Sequence, residues 1–166
     1  METHALIAFD HLAAVLQEYG AAVVEKYREE LAARGKNASG ELADSVRYIV
    51  KRDAAVYAVD LSLADYWQYV EYGRRPGKFP PPDKILEWVR VKPVIPRPMV
   101  NGKLPTEKQL AFLIGRKIAR EGIAPTPALA ASSEVTFDQF LTRIGEALTA
   151  DLADAVDGAL AAIGQR

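Results

Sequence analysis

Hydrophobic positions in the first stretch of the chain recur every three or four residues: Leu6, Phe9, Leu12, Val15, Leu16, Tyr19, Val23, Tyr27 and Leu31. That period puts them on one stripe of a long helix over residues 5–31, closed by the stop chemistry of Gly35, Lys36 and Asn37. Ser39 suits the N-cap of a short second helix to Asp44, because its hydroxyl can accept from a first-turn amide. From Val46 the period falls to two. Val46, Tyr48 and Val50 share one face, and Val56, Ala58 and Asp60 alternate with Tyr57, Val59 and Leu61. The short polar link Lys51-Arg52-Asp53-Ala54 makes these runs a β-hairpin. Two strands alone are marginal, so the hairpin needs helices, further strands or a neighbouring subunit against it.

An aromatic turn follows. Tyr66, Tyr69 and Val70 fall at helical i, i+3, i+4 spacing, which gives a packed anchor, and Gly73 is placed to end the turn in a left-handed conformation. Beyond it, Arg74, Arg75 and Lys78 make a cationic bend stiffened by Pro76 and the triplet Pro80-Pro81-Pro82. A compact helix is expected over 82–89 with Ile85, Trp88 and Val89 inward, then an irregular loop over 92–104 marked by Pro93, Pro96, Pro98 and Gly102. A loop of that length in a compact domain is either mobile or held by a partner. Thr106 and Gln109 stand at capping-box spacing before a helix that runs to Gly122, with Lys108, Arg116, Lys117 and Arg120 on its polar face. The last helix is expected from Glu134 or Val135 to Ile163. Its apolar stripe, Phe137, Leu141, Ile144, Leu148, Leu152, Val156, Leu160 and Ile163, has the period of an ordinary amphipathic helix packed in its own subunit.

These elements describe an α+β fold: a long N-terminal helix, a small antiparallel sheet built on a hairpin, packed helices and a long C-terminal helix. The domain organisation expected is an α+β body over 1–126 and a C-terminal helix over 127–166. Pro125-Thr126-Pro127 would act as the hinge of an arm packed on the same domain or on a neighbour.

Charge and composition remove several classes of function. Basic and acidic residues number 21 and 22, so no global field draws the protein to nucleic acid or to an anionic membrane. Cysteine is absent, which excludes disulfides and thiolate chemistry. No apolar run approaches the roughly 20 residues that span a bilayer, and the start, Met1-Glu2-Thr3-His4, lacks a cationic leader, so no membrane partner is expected. His4 and His11 lie about 10 Å apart along one helix, too far to chelate a single metal, and are expected to face solvent or another subunit. Asp65 suits the start of its turn, and Glu71 beside Arg74 and Arg75 suits a local ion pair, so neither calls for acid/base work. No catalytic residue, cofactor or metal site is expected.

The one local excess of charge is Arg74, Arg75, Lys78, Lys84, Arg90, Lys92, Arg97 and Lys103, set against Asp83 and Glu87. With Phe79 nearby it admits an alternative function, a soluble nucleic-acid-binding accessory protein using residues 74–103. Trp88 shares a stripe with Ile85 and reads as core.

Several of these signals, in their order and spacing, resemble the tail-completion and head-to-tail joining proteins of long-tailed bacteriophages. The residues that carry the likeness are Ala38-Ser39-Gly40-Glu41-Leu42-Ala43-Asp44-Ser45, then Tyr66-Trp67-Gln68-Tyr69-Val70-Glu71-Tyr72-Gly73, then Pro80-Pro81-Pro82 with Ile85-Leu86-Glu87-Trp88. The helix around Leu110-Ala111-Phe112-Leu113-Ile114-Gly115-Arg116-Lys117-Ile118, ending in Glu121-Gly122-Ile123, extends it, so that residues 1–130 are covered. The resemblance implies a non-enzymatic virion component, assembled in the host cytoplasm, that forms a ring of six subunits or a multiple matched to the connector. Its partners would be copies of itself and the neighbouring neck, connector and tail proteins, with DNA passing through but not read in sequence. The hairpin and aromatic turn would form the body. The partner-binding residues expected are Tyr66, Tyr69, Tyr72, Arg74, Arg75, Lys78, Phe79, Arg97 and Lys103.

Overall fold

A computed structural model describes residues 8–36, 39–53, 56–92, 94–98, 100 and 102–164. In chain order they form α1 (Asp10–Ala33), α2 (Glu41–Ser45), β1 (Arg47–Asp53), β2 (Val56–Ser62), α3 (Trp67–Glu71), α4 (Pro82–Val91), α5 (Glu107–Glu121) and α6 (Ala128–Gly164). This is the α+β arrangement that the periodicities predict, with one two-stranded antiparallel sheet among the described residues. The chain gathers into two units. One takes the chain up to Glu29, Val46–Ser62 and the chain from Ala130; the other takes Glu30–Ser45 and Leu63–Leu129.

In the first unit α1 begins later than its stripe predicts. Residues 5–7 of the expected helix, like His4, lie outside the described residues. Phe9 is turned to the sheet instead: its N–H donates to the Tyr57 hydroxyl at 3.2 Å, and the two rings meet edge-on with centroids 5.5 Å apart. The hairpin register runs from Arg47 opposite Ser62 to Asp53 opposite Val56. Lys51, Arg52 and Asp53 therefore belong to the ladder and not to a polar link, while Ala54 lies outside the described residues. Ion pairs from Lys51 to Asp60 and from Arg52 to Asp10 give the polar side chains partners without ending the strand. Tyr48 lies on Gly20 of α1, where an added Cβ would fall inside the ring's contact distance, so helix and strand approach where only a hydrogen fits.

Two helices of this unit run antiparallel, as their partners show: Glu18 pairs with Arg143, and the Tyr19 ring meets Phe140 and Phe137 edge-on at 5.8 and 6.4 Å. Asp151 of α6 closes the start of α1. One carboxylate oxygen accepts from the His11 N–H at 2.9 Å and meets the His11 Nδ1 at 2.9 Å; the other accepts from the Leu12 N–H at 2.8 Å. First-turn amides have no partner inside their helix, so a carboxylate delivered by a distant element takes the place of a local cap.

In the second unit the last turn of α1 closes as its sequence predicts. Lys36 N–H donates to Leu31 O, Gly35 N–H donates to Ala32 O, and Gly35 sits at φ 63°, which together make a Schellman stop. The Ser39 hydroxyl accepts from Glu41 N–H at 3.3 Å, and α2 runs on to Ser45, whose hydroxyl accepts from Ala64 N–H. The capping box before α5 is complete: Gln109 N–H donates to the Thr106 hydroxyl and Thr106 N–H donates to the Gln109 side chain. Between α4 and α5 the described residues form neither helix nor strand, in keeping with their prolines. Among the described residues no helix is long and apolar enough to cross a membrane.

Candidate interaction surface

In the second unit the cationic bend is held by backbone pairing to the turn after α5. Arg74 and Ile123 exchange both backbone hydrogen bonds at 2.8–2.9 Å, and Gly77 N–H donates to Ala119 O at 2.7 Å. Two glycines make that approach possible. Gly73 at φ 71° and Gly122 at φ 77° occupy the left-handed region, and a Cβ on either would run into the opposite strand's backbone, at Ile123 O and at Arg74 O. The Arg74 guanidinium turns back to donate to the Lys78 carbonyl, so this cation stiffens the bend. Arg75 and Lys78 are exposed.

Phe79, at the end of the bend, stacks on Phe112 of α5 with centroids 5.8 Å apart and planes 29° from parallel. It rests on Gly115, where an added Cβ would lie 2.5 Å from the ring. A two-ring platform results, partly open to solvent: Phe112 is exposed over more than half its surface and Phe79 over about a third.

The aromatic turn departs from expectation. Of the expected anchor, Tyr66 is 37% and Tyr69 57% exposed and Val70 is half-buried; beside it Tyr72 is 71% exposed, its ring tilted against Trp67 at 5.8 Å. Burial, then the negative charge and hydrogen bond of Glu41, push the Tyr66 phenol above its ordinary value. The buried residue of α3 is Glu71, 4% exposed, and its carboxylate accepts from the Leu129 N–H at 2.9 Å, at the first turn of α6. Thr126 N–H also donates to Val70 O at 2.9 Å, so α3 fixes where the final helix starts. That start, at Ala128, is earlier than the expected Glu134 or Val135, because a tertiary acceptor serves the first-turn amides in place of a local cap.

Other cations of the 74–103 segment are engaged locally: Lys84 with Glu87 at 3.3 Å, Arg90 with Glu107 at 3.0 Å, and Lys92 both with Gly35 O and over the Trp88 ring at 5.3 Å. Trp88 is accordingly half-open rather than core, and Val89 is the buried residue of α4. Arg97 and Lys103 are exposed in the loop between α4 and α5. Of the expected partner-binding residues, Arg74, Lys78 and Phe79 are thus brought together on the bend.

The larger correction concerns α6. Its inward residues are small or polar: Ala128, Ser132, Thr136, Ala147 and Asp151 are buried. The large apolar stripe faces outward, with Phe137, Leu141, Leu148, Leu152, Val156, Leu160 and Ile163 exposed by 40–71% of their surface. From residue 156 to 164 the helix is exposed on every side. Periodicity identified this stripe but not its direction; the spacing of Ala128, Ser132 and Thr136, four apart, is the signal that points the other way.

Two titrating groups mark the α1–α6 contact. Burial, the largest influence on Asp151, pushes its carboxyl up, but the N–H groups of Leu12 and His11 and the His11 ring together outweigh it and hold the carboxyl below its ordinary value. His11, hydrogen-bonded to Asp151 and close to the charges of Asp154 and Asp10, is raised. His11 is therefore a partner within the chain, although its ring stays largely exposed. Compared with known protein families, curated proteins and solved structures, the chain matches none.

Proposed function

We propose that this chain is a structural assembly subunit, a neck or tail-completion protein of a long-tailed bacteriophage. It forms a ring with copies of itself, joins the connector to the tail and encloses the DNA passage without reading sequence. The observation that carries an assembly role is the outward apolar stripe of α6. Exposed single apolar residues are ordinary, but a continuous stripe along a helix of this length marks a surface made to be covered. The Phe79–Phe112 platform and the open tyrosines in and flanking α3 add aromatic contact area of the type that dominates interfaces. The order of motifs that resembles the joining proteins supplies the place in the particle.

Direct nucleic-acid binding has less support, since Arg74, Lys84 and Arg90 are already engaged within the chain. The test of the assembly reading is co-expression with neck, connector and tail proteins, followed by light scattering and electron microscopy. Rings, or incorporation into a neck complex, are expected. A chain that stays monomeric alone and enters none of these complexes refutes the reading.

A further inference from the structure

We infer that copies of this chain join head to tail, the outward stripe of α6 on one copy seating against the exposed face of α5 on the next. This deepens the assembly reading by naming the two surfaces and their partner, a second copy.

The argument is one of complementary chemistry. On α6 the exposed apolar residues are accompanied by the exposed carboxylates Glu134, Asp138 and Asp157, and the helix's one cation, Arg143, is occupied by Glu18. The exposed face of α5 is its counterpart. Phe112 follows Lys108 and precedes Arg116 on one i, i+4 row, and Leu113 lies on the adjacent row with Lys117. Lys108 and Arg116 have no ion-pair partner among the described residues. A shallow open depression on this face is lined by Lys108, Gln109, Phe112 and Leu113.

Like surfaces would not pair. Two α6 stripes set together bring carboxylates against carboxylates, and two α5 faces bring cations against cations, each without compensation. Only the unlike pairing puts apolar on apolar and opposite charges at the rim. At 1.5 Å per residue Lys108 to Arg120 spans about 18 Å and the stripe from Phe137 to Ile163 about 39 Å, so the α5 face covers part of the stripe. Phe112 is pre-set by its stack on Phe79, so little side-chain freedom is lost on docking. Unlike surfaces repeated from copy to copy make a heterologous contact, which closes into a ring when the rotation allows.

A charge-swap experiment on the full chain tests this by sedimentation velocity and light scattering. One variant carries Lys108→Glu, Arg116→Glu and Lys117→Glu; the other carries Asp138→Lys and Asp157→Lys. All five side chains are exposed, and circular dichroism checks that both variants keep the parental helix content. The parent is expected to self-associate less as salt rises, and each variant alone to associate about tenfold or more weakly. An equimolar mixture of the two is expected to recover assembly, because each reversed face then meets a reversed partner. Leu152→Asn in the parent background is expected to weaken assembly without lowering helix content. The inference is overturned by variants that assemble like the parent, by a mixture that fails to recover, or by a parent that is monomeric at the highest soluble concentration. The assembly reading stands apart from these outcomes, since it falls only when the chain also enters no neck complex.

Discussion

Asp151→Asn is the sharpest perturbation of the first unit. The native carboxylate uses both oxygens on the first turn of α1, one on His11 N–H and Nδ1 and the other on Leu12 N–H, from a side chain that is 2% exposed. A hydrogen bond to a charged group contributes roughly 1.5–3 kcal/mol. Asparagine keeps one acceptor oxygen and turns an amide NH2 toward the remaining donor, so one bond is lost and two donors are opposed. Relief of the carboxylate's burial offsets part of this, which leaves an expected loss of about 2–3 kcal/mol. Urea unfolding followed by far-ultraviolet circular dichroism measures it. The difference is pH-dependent with a definite sign. Asp151 is held below its ordinary 3.8, so its contribution is present above that value and is lost as acid protonates the folded carboxyl. His11 is held above its ordinary 6.5, so its contribution is complete below that value and is lost as pH rises through the raised one. The gap between parent and variant should therefore be widest from about pH 4 to 6.5 and narrow on both sides. A variant within about 0.5 kcal/mol of the parent near pH 5, or a gap that fails to narrow both below and above that window, would refute the assignment of Asp151 as the cap.

Three further outcomes follow from the second unit. Gly115→Ala drives a methyl into the Phe79 ring and should destabilise by about 1–3 kcal/mol, with the Phe79 and Phe112 ring resonances shifted in NMR spectra. Gly73→Ala combines a positive φ with a backbone collision at Ile123 O, so a loss of at least about 2 kcal/mol in thermal unfolding is expected; a neutral result would contradict the close pairing of bend and turn. Glu71→Ala removes the acceptor of Leu129 N–H, and a loss of roughly 1–3 kcal/mol is expected together with faster hydrogen exchange at that amide, while exchange in α5 stays unchanged.

Local chemistry was legible wherever partners lie within a few residues of each other. The Thr106–Gln109 capping box, the Gly35 stop of α1 and the left-handed Gly73 each depend on positions close in the chain, and each is found where its residue types place it. The hairpin was legible in its pairing but not in its length, because Lys51 and Arg52 find carboxylate partners on Asp60 and Asp10 and stay in the ladder. The candidate surface was read in part. The cationic bend and Phe79 were visible as motifs, whereas Phe112 beneath Phe79, and the glycine that admits the ring, need the fold to meet.

What the sequence determined by itself is the order and type of the elements, since helical and strand periods, stops and caps are set by interactions over one or two turns. Only the tertiary structure decided where α1 and α6 begin and which side of α6 is inward. Those outcomes turn on Glu71 reaching Leu129 and Asp151 reaching His11, 58 and 140 residues away along the chain. The physical reason is that a helix's period marks two faces but not which one meets a neighbour. Here the small residues of α6 are buried, and its large apolar residues are left for another surface.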